Sequence, residues 1–369
     1  MPEECHRVGK NRRSVSYAAL STVLAFLLLC APGHSIAQQK KKHFKETRGM
    51  AAEKPLLWID PADISTRDLF YGEGGKRDAP PGTTFIYLKE DLSGTNAKID
   101  VRDEHGVKWR VKLGEEARPE AVATRLLWAA GYFANEEYFL SEIQVQGFQP
   151  LSKKRRKRAK GLIDADGVMH NVELKRLPKS ERKIGTWKWR DNPFSHTRQF
   201  NGLRVMMALL NNWDLKDENN SIYSVEGGGA GGIPDSQTDD PIVYMVSDVG
   251  GSFGTNGRVR DRKRAKGNLD SYRQSKFIHK VTPEYVDFYT PAREPWTMAV
   301  NPKEFIQRIH MRWIGRHIPV ADARWMGNLL GRLSRAQVRG AFRAADYSPE
   351  QADAFTDVVM QRIAQLKNL

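Results

Sequence analysis

Residues 197–212, TRQFNGLRVMMALLNN, carry apolar side chains on nearly every side of a helical wheel. A helix of this kind must be buried over most of its circumference, which requires a large core around it. The chain has 369 residues, enough to build such a core. The helix leads directly into NWDLKDENNSIY, in which three acids, three amides and a lysine surround one tryptophan. The sequence therefore predicts a dense polar cluster at the end of a buried helix.

The region before this helix predicts strands, because apolar and polar residues alternate between turn residues. One helix interrupts the strands; it is expected to begin at Pro119 and to end at Gly131. The five predicted strands are 84–92, 97–103, 107–113, 136–147 and 170–176. The expected order is therefore βββαββ. The basic run KKRRKRAK (153–160) is predicted to be a solvated hairpin tip, or else a docking site for an anionic envelope partner.

The region after the buried helix is predicted to be mostly helical. Two strand-like runs, 221–225 and 241–248, flank a Gly- and Pro-rich loop at 226–240. Several helices are expected from about residue 301, and Ser334 and Ser348 each precede a Gln by three residues, which is the pattern of a capping box. The combined pattern predicts an α+β fold.

The N-terminus has the pattern of a secretory signal peptide, with basic residues before a short apolar core and a small-residue cleavage site near Ala37. Cleavage would remove both cysteines and, with four basic and two acidic residues, lower the net charge from +15 to +13. We therefore expect an exported protein, periplasmic or extracellular, with no transmembrane segment in the mature chain. The charge favours anionic partners, but export argues against nucleic acid. Scattered histidines, with no H-E-x-x-H, exclude the common zinc-protease pattern.

The polar cluster contains acids, an amide and a lysine in the pattern D-x-K-x-x-N, formed by Asp214, Lys216 and Asn219. A second acid, Asp248, follows in the triplet Asp-Val-Gly, and Lys112 lies on the third predicted strand. In order and in motif these residues resemble the protein-kinase-like superfamily, whose catalytic loop reads His-Arg-Asp-Leu-Lys-x-x-Asn and whose metal-binding triplet reads Asp-Phe-Gly.

The resemblance implies a two-lobed protein-kinase-like fold, with a small antiparallel β-sheet N-lobe containing one helix and a mainly α-helical C-lobe. The expected divisions are the signal peptide 1–37, an N-terminal arm 38–80, the N-lobe 81–176 and the C-lobe 177–369. It also implies a nucleotide, ATP or another, as donor, Mg²⁺ or Mn²⁺ as cofactor, and a hydroxyl acceptor that is a protein, a sugar or a lipid headgroup.

The resemblance also assigns roles to individual residues. Asp214 would orient the hydroxyl and accept its proton, and Lys216 would offset charge on the transferred phosphoryl group. Asn219 and Asp248 would bind the metal, since Mg²⁺ prefers oxygen ligands. The remaining residues are assigned to the nucleotide: Lys112 to its phosphates, Glu120 to positioning Lys112, and the turn containing Ser93, Gly94 and Thr95 to cradling phosphate.

Several features depart from the eukaryotic protein kinases. No G-x-G-x-x-G loop is present, Asn212-Trp213 stands where the family has His-Arg, and Val249 stands where it has Phe. These departures place the resemblance in the atypical branch, which contains the spore-coat CotH-like kinases, the secretory-pathway kinases and the HipA-type kinases.

Alternatives remain open at this stage. Asp217 competes with Asp214 as base or serves as a second metal ligand; Glu115 and Glu116 compete with Glu120, and Lys108 and Arg110 with Lys112. A catalytically silent kinase fold could act as a binding or scaffold protein of the cell envelope. A serine hydrolase is a further alternative, because residues 250–254 fit G-x-S-x-G around Ser252, with Asp270 and His279 following in triad order.

Overall fold

The computed structural model describes residues 55–94, 96–226, 241–254, 266–290 and 297–369. The predicted signal peptide, Thr95 and most of the Gly- and Pro-rich loop therefore lie outside the described residues. Residues 51–369 form one compact unit, so the division into lobes at residue 176 stays a prediction. Among the described helices, none combines the length and the apolar character needed to cross a membrane.

A closed five-stranded barrel with the strand order β1-β2-β3-β5-β4 occupies the first part of the described chain. Its strands are Thr84–Glu90 (β1), Lys98–Arg102 (β2), Lys108–Leu113 (β3), Glu137–Gln146 (β4) and Val168–Arg176 (β5). All five predicted strands are present, but the predicted antiparallel sheet is wrong in one respect, because β1 pairs with β4 in parallel. Closure gives the edges of β1 and β4 a partner, which an open sheet would leave unpaired.

The inside of the barrel is filled by apolar side chains that alternate with outward-facing polar ones. Phe85, Val101, Trp109 and Ile143 are almost completely buried there. Because period-two alternation puts one set of residues inside, the other set on β2, β3 and β5 faces outward. That outer set includes Lys112, and its position decides where the candidate site lies.

Three short or medium helices accompany the barrel: Gly75–Asp78 (α1), Ala117–Ala129 (α2) and Lys153–Arg158 (α3). Helix α2 begins two residues before Pro119, which lies within its first turn rather than at its first position.

The basic run forms α3 instead of a solvated hairpin tip, and Arg155 is buried. The Arg155 guanidinium donates to the carbonyl oxygens of Ser93, Gly94 and Asn96. The other basic side chains of α3 are exposed.

A second sheet is built from strands that follow the barrel in the chain. It is antiparallel, with the order β6-β7-β8, formed by Glu181–Gly185 (β6), Asn220–Val225 (β7) and Ile242–Val246 (β8). Strand β6 was not predicted, because its sequence ERKIG is polar and short. The apolar helix Arg198–Leu210 (α4) lies between β6 and β7 in the chain and is buried from Phe200 to its end, as predicted.

The remaining helices follow in the last part of the chain, and α8 and α10 pack against α4. They are Leu269–Gln274 (α5), Thr297–Val300 (α6), Pro302–Met311 (α7), Val320–Leu330 (α8), Arg335–Ala344 (α9) and Pro349–Lys367 (α10). A small sheet of Ile278–Val281 (β9), Tyr285–Phe288 (β10) and Ile318–Pro319 (β11) lies among them. Both predicted capping boxes are confirmed, at Ser334 with Gln337 and at Ser348 with Gln351.

The arm before β1 is irregular, as predicted, but it is also anchored to the core. Leu57, Ile64 and Leu69 are buried, and the Gln337 side chain donates to the carbonyl oxygens of Ile64 and Arg67. Farther along the arm, Glu73 lines a cavity of about 570 Å³ that it shares with the ends of β4 and β5.

The position of Glu73 in this cavity predicts how the stability of the protein depends on pH. Burial, followed by the neighbouring carboxylates of Glu136 and Glu181, raises the pKa of Glu73 from 4.5 to about 8. A folded-state pKa above the unfolded one means that stability is lost as pH rises from about 4.5 through about 8. We expect Glu73→Gln to remove this loss and to be more stable than wild type by about 1 to 2 kcal/mol at pH 8, with no gain at pH 4.

Urea unfolding across this pH range measures the difference. Glu284→Gln, at an exposed carboxylate on the surface, is the matched control and should track wild type. An equal effect of Glu73→Gln at both ends of the range would show that charge is not the cause.

Candidate functional site

The loop after α4 is fixed by side-chain bonds that begin at the helix end. Asn211 adopts the left-handed conformation at the C-cap, with φ 55°, which an asparagine tolerates better than most residues. Its amide donates to the carbonyl oxygen of Gly254, and its side-chain oxygen accepts from the Trp213 indole at 2.7 Å. The backbone N–H of Phe253 donates to Leu210. The helix end is thereby tied to the segment that follows Asp248.

Asp214 comes next, half-buried, at the start of the polar cluster. Its carboxylate forms an ion pair with Lys216, with Nζ and Oδ1 at 3.1 Å. The Asn219 side-chain amide donates to the Asp214 carbonyl oxygen at 2.7 Å. The backbone carbonyl of Asn219 accepts from the Ser247 N–H at 2.8 Å, so Asn219 lies beside the residue that precedes Asp248. Asp214, Lys216 and Asn219 therefore form one connected network, which is bonded to the residue before Asp248.

Lys112 lies at the centre of a second group of charged residues in the candidate site. Its Nζ contacts the Glu120 carboxylate directly and lies 3.4 Å from Glu173 and 3.8 Å from Asp248. Glu116, one turn before Glu120 on α2, is also 3.4 Å away. Strand β3, helix α2, strand β5 and the segment after β8 thus bring four carboxylates to one buried ammonium group.

The charge balance of this cluster is unusual because acids outnumber cations. Burial opposes the charge on Lys112, but Glu120, Glu173, Asp248 and Glu116 outweigh it and raise the pKa of Lys112 above its ordinary value. Burial and the neighbouring carboxylates raise the pKa of Glu173 to about 7 and raise that of Glu120 as well. A group of carboxylates that cannot all be neutralised by one lysine favours binding of a further cation.

Three carboxylates of this cluster lie close enough together to hold a divalent cation. Oxygen atoms of Glu116, Glu120 and Asp248 all lie within 4.8 Å of one another. Burial opposes ionisation of Glu116, but Lys112 and Lys266 lower its pKa to about 2, so this carboxylate is charged. The donor set is all oxygen and suits Mg²⁺ or Mn²⁺. Glu137, with Glu120 and Glu173, forms a second, fully buried carboxylate group next to it.

The glycine of the Asp-Val-Gly triplet is required by close packing against α2. A Cβ placed on Gly250 would lie 2.7 Å from the Glu116 Cβ and 2.8 Å from a Glu120 carboxylate oxygen. Any larger residue would push Asp248 away from the two glutamates. Because Gly250 has no side chain, the Asp-Val-Gly triplet can place Asp248 this close to the two glutamates.

The turn between β1 and β2 was predicted to cradle phosphate. Ser93 is held by Asp91, which accepts from both its backbone N–H and its hydroxyl, and Gly94 has a φ of +65°. Arg155 binds the carbonyl oxygens of the turn, as described above. The structure thus assigns a turn-positioning contact to the basic run, which the sequence pattern did not show. Thr95 lies outside the described residues.

One residue weighed against the predicted ones, Glu116, belongs to the cluster, because its carboxylate lies 3.4 Å from Lys112. The others lie elsewhere. Lys108 and Glu115 are exposed, and Arg110 is paired with Asp100 at 2.9 Å and with Asp91 at 3.1 Å. Asp217 is exposed, and its carboxylate accepts from the Trp189 backbone N–H at 3.1 Å. Lys112, Glu120 and Asp248 are the residues brought together. Sequence reasoning missed Glu173 as a member of the cluster; its pairing opposite Lys112 across β3 and β5 could be found only from the strand register.

The hydrolase alternative fails on the position of Ser252. A nucleophile elbow exposes its serine hydroxyl at a strand-to-helix turn. Ser252 is fully buried, and its hydroxyl donates to the Val249 carbonyl oxygen at 2.6 Å. His279 and Asp270, the expected partners, are both exposed on other elements. The geometry does not support a serine nucleophile here.

The solved structures that resemble this chain are kinases, and the similarity is low. No protein-family model matches the chain, and no curated protein matches it. Among solved structures, a proinflammatory kinase CtkA of Helicobacter pylori is 11% identical with a TM-score of 0.33, covering 78% of this chain and 99% of that one. A Golgi casein kinase solved with Mn/ADP bound is 8% identical with a TM-score of 0.35, covering 78% of this chain and 72% of that one. TM-scores in this range do not establish a shared fold.

Proposed function

We propose that this protein is an atypical kinase-like phosphotransferase, which moves a phosphoryl group from a phosphoanhydride donor such as a nucleoside triphosphate to a hydroxyl acceptor. The observation that carries the proposal is the contact of Lys112 with Glu120 and Asp248. These three residues come from a strand, a helix and a loop far apart in the sequence. Asp214 and Asn219 are linked to the same segment through Ser247.

The group that the site would hold is a divalent cation with the donor phosphates. Glu116, Glu120 and Asp248 would hold Mg²⁺ or Mn²⁺, with the Asn219 side-chain oxygen as a further predicted ligand. When bound, the cation would neutralise charge on the donor phosphates. Lys112 would bind a donor phosphate oxygen, since a lysine acts on phosphate as a compact charge.

The remaining chemistry belongs to Asp214 and Lys216. In the transfer, the acceptor oxygen forms a bond to the terminal phosphorus while the bridging phosphorus–oxygen bond breaks, and the electron pair leaves with the shortened donor. The Asp214 carboxylate takes the hydroxyl proton and passes it to water. Lys216, 3.1 Å from Asp214, offsets the negative charge that the transferred group carries.

A cavity for the acceptor opens beside the catalytic loop. It has a volume of about 760 Å³ and is lined by Leu215, Lys216 and Asp217 on one side and by residues of α7 on the other. Trp189 and Trp313 also line it.

Export is part of the proposal. A kinase of the CotH-like, secretory-pathway or HipA-type branch with a cleaved signal peptide near Ala37 would act in the periplasm or outside the cell. Proteolytic mapping of the mature N-terminus tests this directly, because a cytoplasmic chain would retain residues 1–37.

The central experiment measures thermal stabilisation of the mature protein by ATP with Mg²⁺ or Mn²⁺, relative to metal alone, for wild type and Asp248→Ala. A ligand present at 100 times its dissociation constant stabilises a protein by about 2.7 kcal/mol. We expect a metal-dependent shift in wild type that disappears in Asp248→Ala.

The exposed Asp270→Ala is the matched control and should retain the shift. A wild-type protein that no triphosphate stabilises in either metal would contradict phosphoryl transfer and favour a catalytically silent binding protein.

A further inference from the structure

Helix α7 keeps apolar side chains outside the protein core. Ile306 and Ile309 are three residues apart, which places them on the same side of the helix, and 47% and 42% of their surfaces are exposed. Met298 on α6, which packs beside α7, is 54% exposed. A helix on the surface of a globular protein usually turns its apolar side chains inward. We call Met298, Ile306 and Ile309 the apolar face.

Polar contacts attach α7 to the catalytic loop and to the segment before α4. The Arg308 guanidinium donates to the Trp213 carbonyl oxygen at 3.4 Å. The Arg190 guanidinium donates to the His310 carbonyl oxygen at 3.5 Å. Since these contacts use other positions of the helix, Ile306 and Ile309 remain on its outer side.

The surroundings of the apolar face are basic. Residues 297–317 contain four basic residues and one acidic residue, which gives this segment a net charge of +3. Among the described residues that line the cavity of about 760 Å³ beside the catalytic loop, four are lysine or arginine, and Asp217 is the one acid. Three of these basic side chains, those of Lys188, Arg190 and Lys303, are exposed. An anionic lipid bilayer complements both properties, because its acyl region takes up apolar side chains and its phosphates attract basic ones.

The apolar face and the cavity share a residue. Ile306 belongs to the apolar face and also lines the cavity, so the cavity opens next to this face. Trp313 lines the cavity as well, with the Arg190 guanidinium carbon 4.9 Å from the centre of its ring. Tryptophan is enriched at the headgroup level of membranes, whereas lysine is depleted at the centre of protein–protein interfaces. A bilayer in contact with the apolar face would therefore present its headgroups to the cavity.

We propose that the acceptor is a headgroup hydroxyl of an anionic membrane lipid, and that the apolar face lies on the bilayer while the headgroup enters the cavity. This inference rests on the proposed function and names its acceptor. The headgroup oxygen bonds to the terminal phosphorus of the donor, the bridging phosphorus–oxygen bond breaks, and its electron pair leaves with the shortened donor. The hydroxyl proton goes to Asp214 and then to water. The product is a lipid that carries one more phosphate.

The first test is co-sedimentation of the full mature protein with vesicles of phosphatidylcholine, alone or mixed equally with phosphatidylglycerol. We expect binding to the mixed vesicles to be at least about tenfold tighter than to phosphatidylcholine alone. The Ile306→Ser, Ile309→Ser double variant should bind the mixed vesicles about tenfold more weakly, because it loses two aliphatic side chains from the bilayer. Lys303→Gln should weaken this binding about fivefold. Leu92→Ser, at a leucine that is 67% exposed in the turn after β1, is the matched apolar control, and Lys280→Gln on β9 is the matched charge control; both should bind like wild type.

The second test supplies ATP and Mg²⁺ to the protein on mixed vesicles and follows the labelled terminal phosphate. We expect the label in phosphatidylglycerol, and none in glycerol phosphate that is free in solution. Asp248→Ala should bind the vesicles like wild type but transfer nothing. The Ile306→Ser, Ile309→Ser variant should keep the thermal shift with ATP and metal, which shows that it is folded, and should lose transfer to lipid.

Three results would overturn the membrane assignment while leaving phosphoryl transfer intact. The first is wild-type protein that does not prefer the mixed vesicles, and the second is a double variant that binds them as tightly as wild type. The third is transfer to a protein or to free glycerol phosphate with none to lipid. If no triphosphate gives a metal-dependent thermal shift that Asp248→Ala removes, the proposed function fails, and the acceptor assignment fails with it even where vesicle binding is observed.

Discussion

Replacing Asp214 with Asn should lower the rate of phosphoryl transfer by about 10³-fold, within the range found for general acid–base catalysis. The amide keeps the shape of the side chain but cannot accept the hydroxyl proton. The Asn219 bond is to the Asp214 backbone carbonyl, so it survives the substitution. Binding of metal and triphosphate should be unchanged, because the proposed cation site consists of Glu116, Glu120 and Asp248. The measurement is phosphate release from ATP at saturating donor, with water as acceptor.

Asp217→Asn is the matched control for this experiment. Its side-chain oxygen would still accept the Trp189 backbone N–H, so we expect near wild-type rates and stability. The reverse pattern, with Asp217→Asn inactive and Asp214→Asn active, would move the base to Asp217, the alternative that the sequence left open. Equal loss in both variants with weaker donor binding would point to a structural role for the loop.

Replacing Arg362 with Leu should lower the free energy of unfolding by about 3 to 5 kcal/mol, the range for breaking a buried charged network. Arg362 on α10 is 3% exposed and lies over the Tyr272 ring at 4.1 Å. It donates to the carbonyl oxygens of Leu209, Tyr272 and Ser275. Leucine would remove this donor from all three carbonyls, although Leu209 would keep the Tyr272 hydroxyl as a donor and Tyr272 would keep the Ser275 hydroxyl. A buried carbonyl left unsatisfied costs about 1 to 3 kcal/mol. Urea unfolding at neutral pH measures the loss.

Arg339→Leu is the matched control for Arg362→Leu. Arg339 on α9 is partly exposed and pairs with Asp353 at 2.8 Å, so its loss should cost no more than about 1 kcal/mol. If the two variants unfold at the same urea concentration, the carbonyls at the end of α4 do not depend on Arg362. If Arg362→Leu also lowers the rate of phosphoryl transfer by a larger factor than it lowers the affinity for the donor, α10 positions Asp214 by holding the end of α4.

The linear sequence determined the elements and most of the candidate site. The five strands around one helix, the buried helix α4 and both capping boxes follow from local periodicity and turn chemistry, which act over a few residues. Asp214, Lys216, Asn219 and Asp248 were found because each motif is short and lies at the end of a recognisable element. The choice among Glu115, Glu116 and Glu120 stayed open in the sequence, and the structure brings both Glu116 and Glu120 to Lys112.

Tertiary structure alone decided which distant groups meet. The parallel pairing of β1 with β4 closes the barrel, and nothing local in either strand indicates its partner. Glu173 joins Lys112 through strand register. Arg155 looked like one charge in a solvated run, yet it is buried against the turn at Gly94. These contacts depend on chain closure over tens of residues, whereas sequence patterns report only the local preference of each segment.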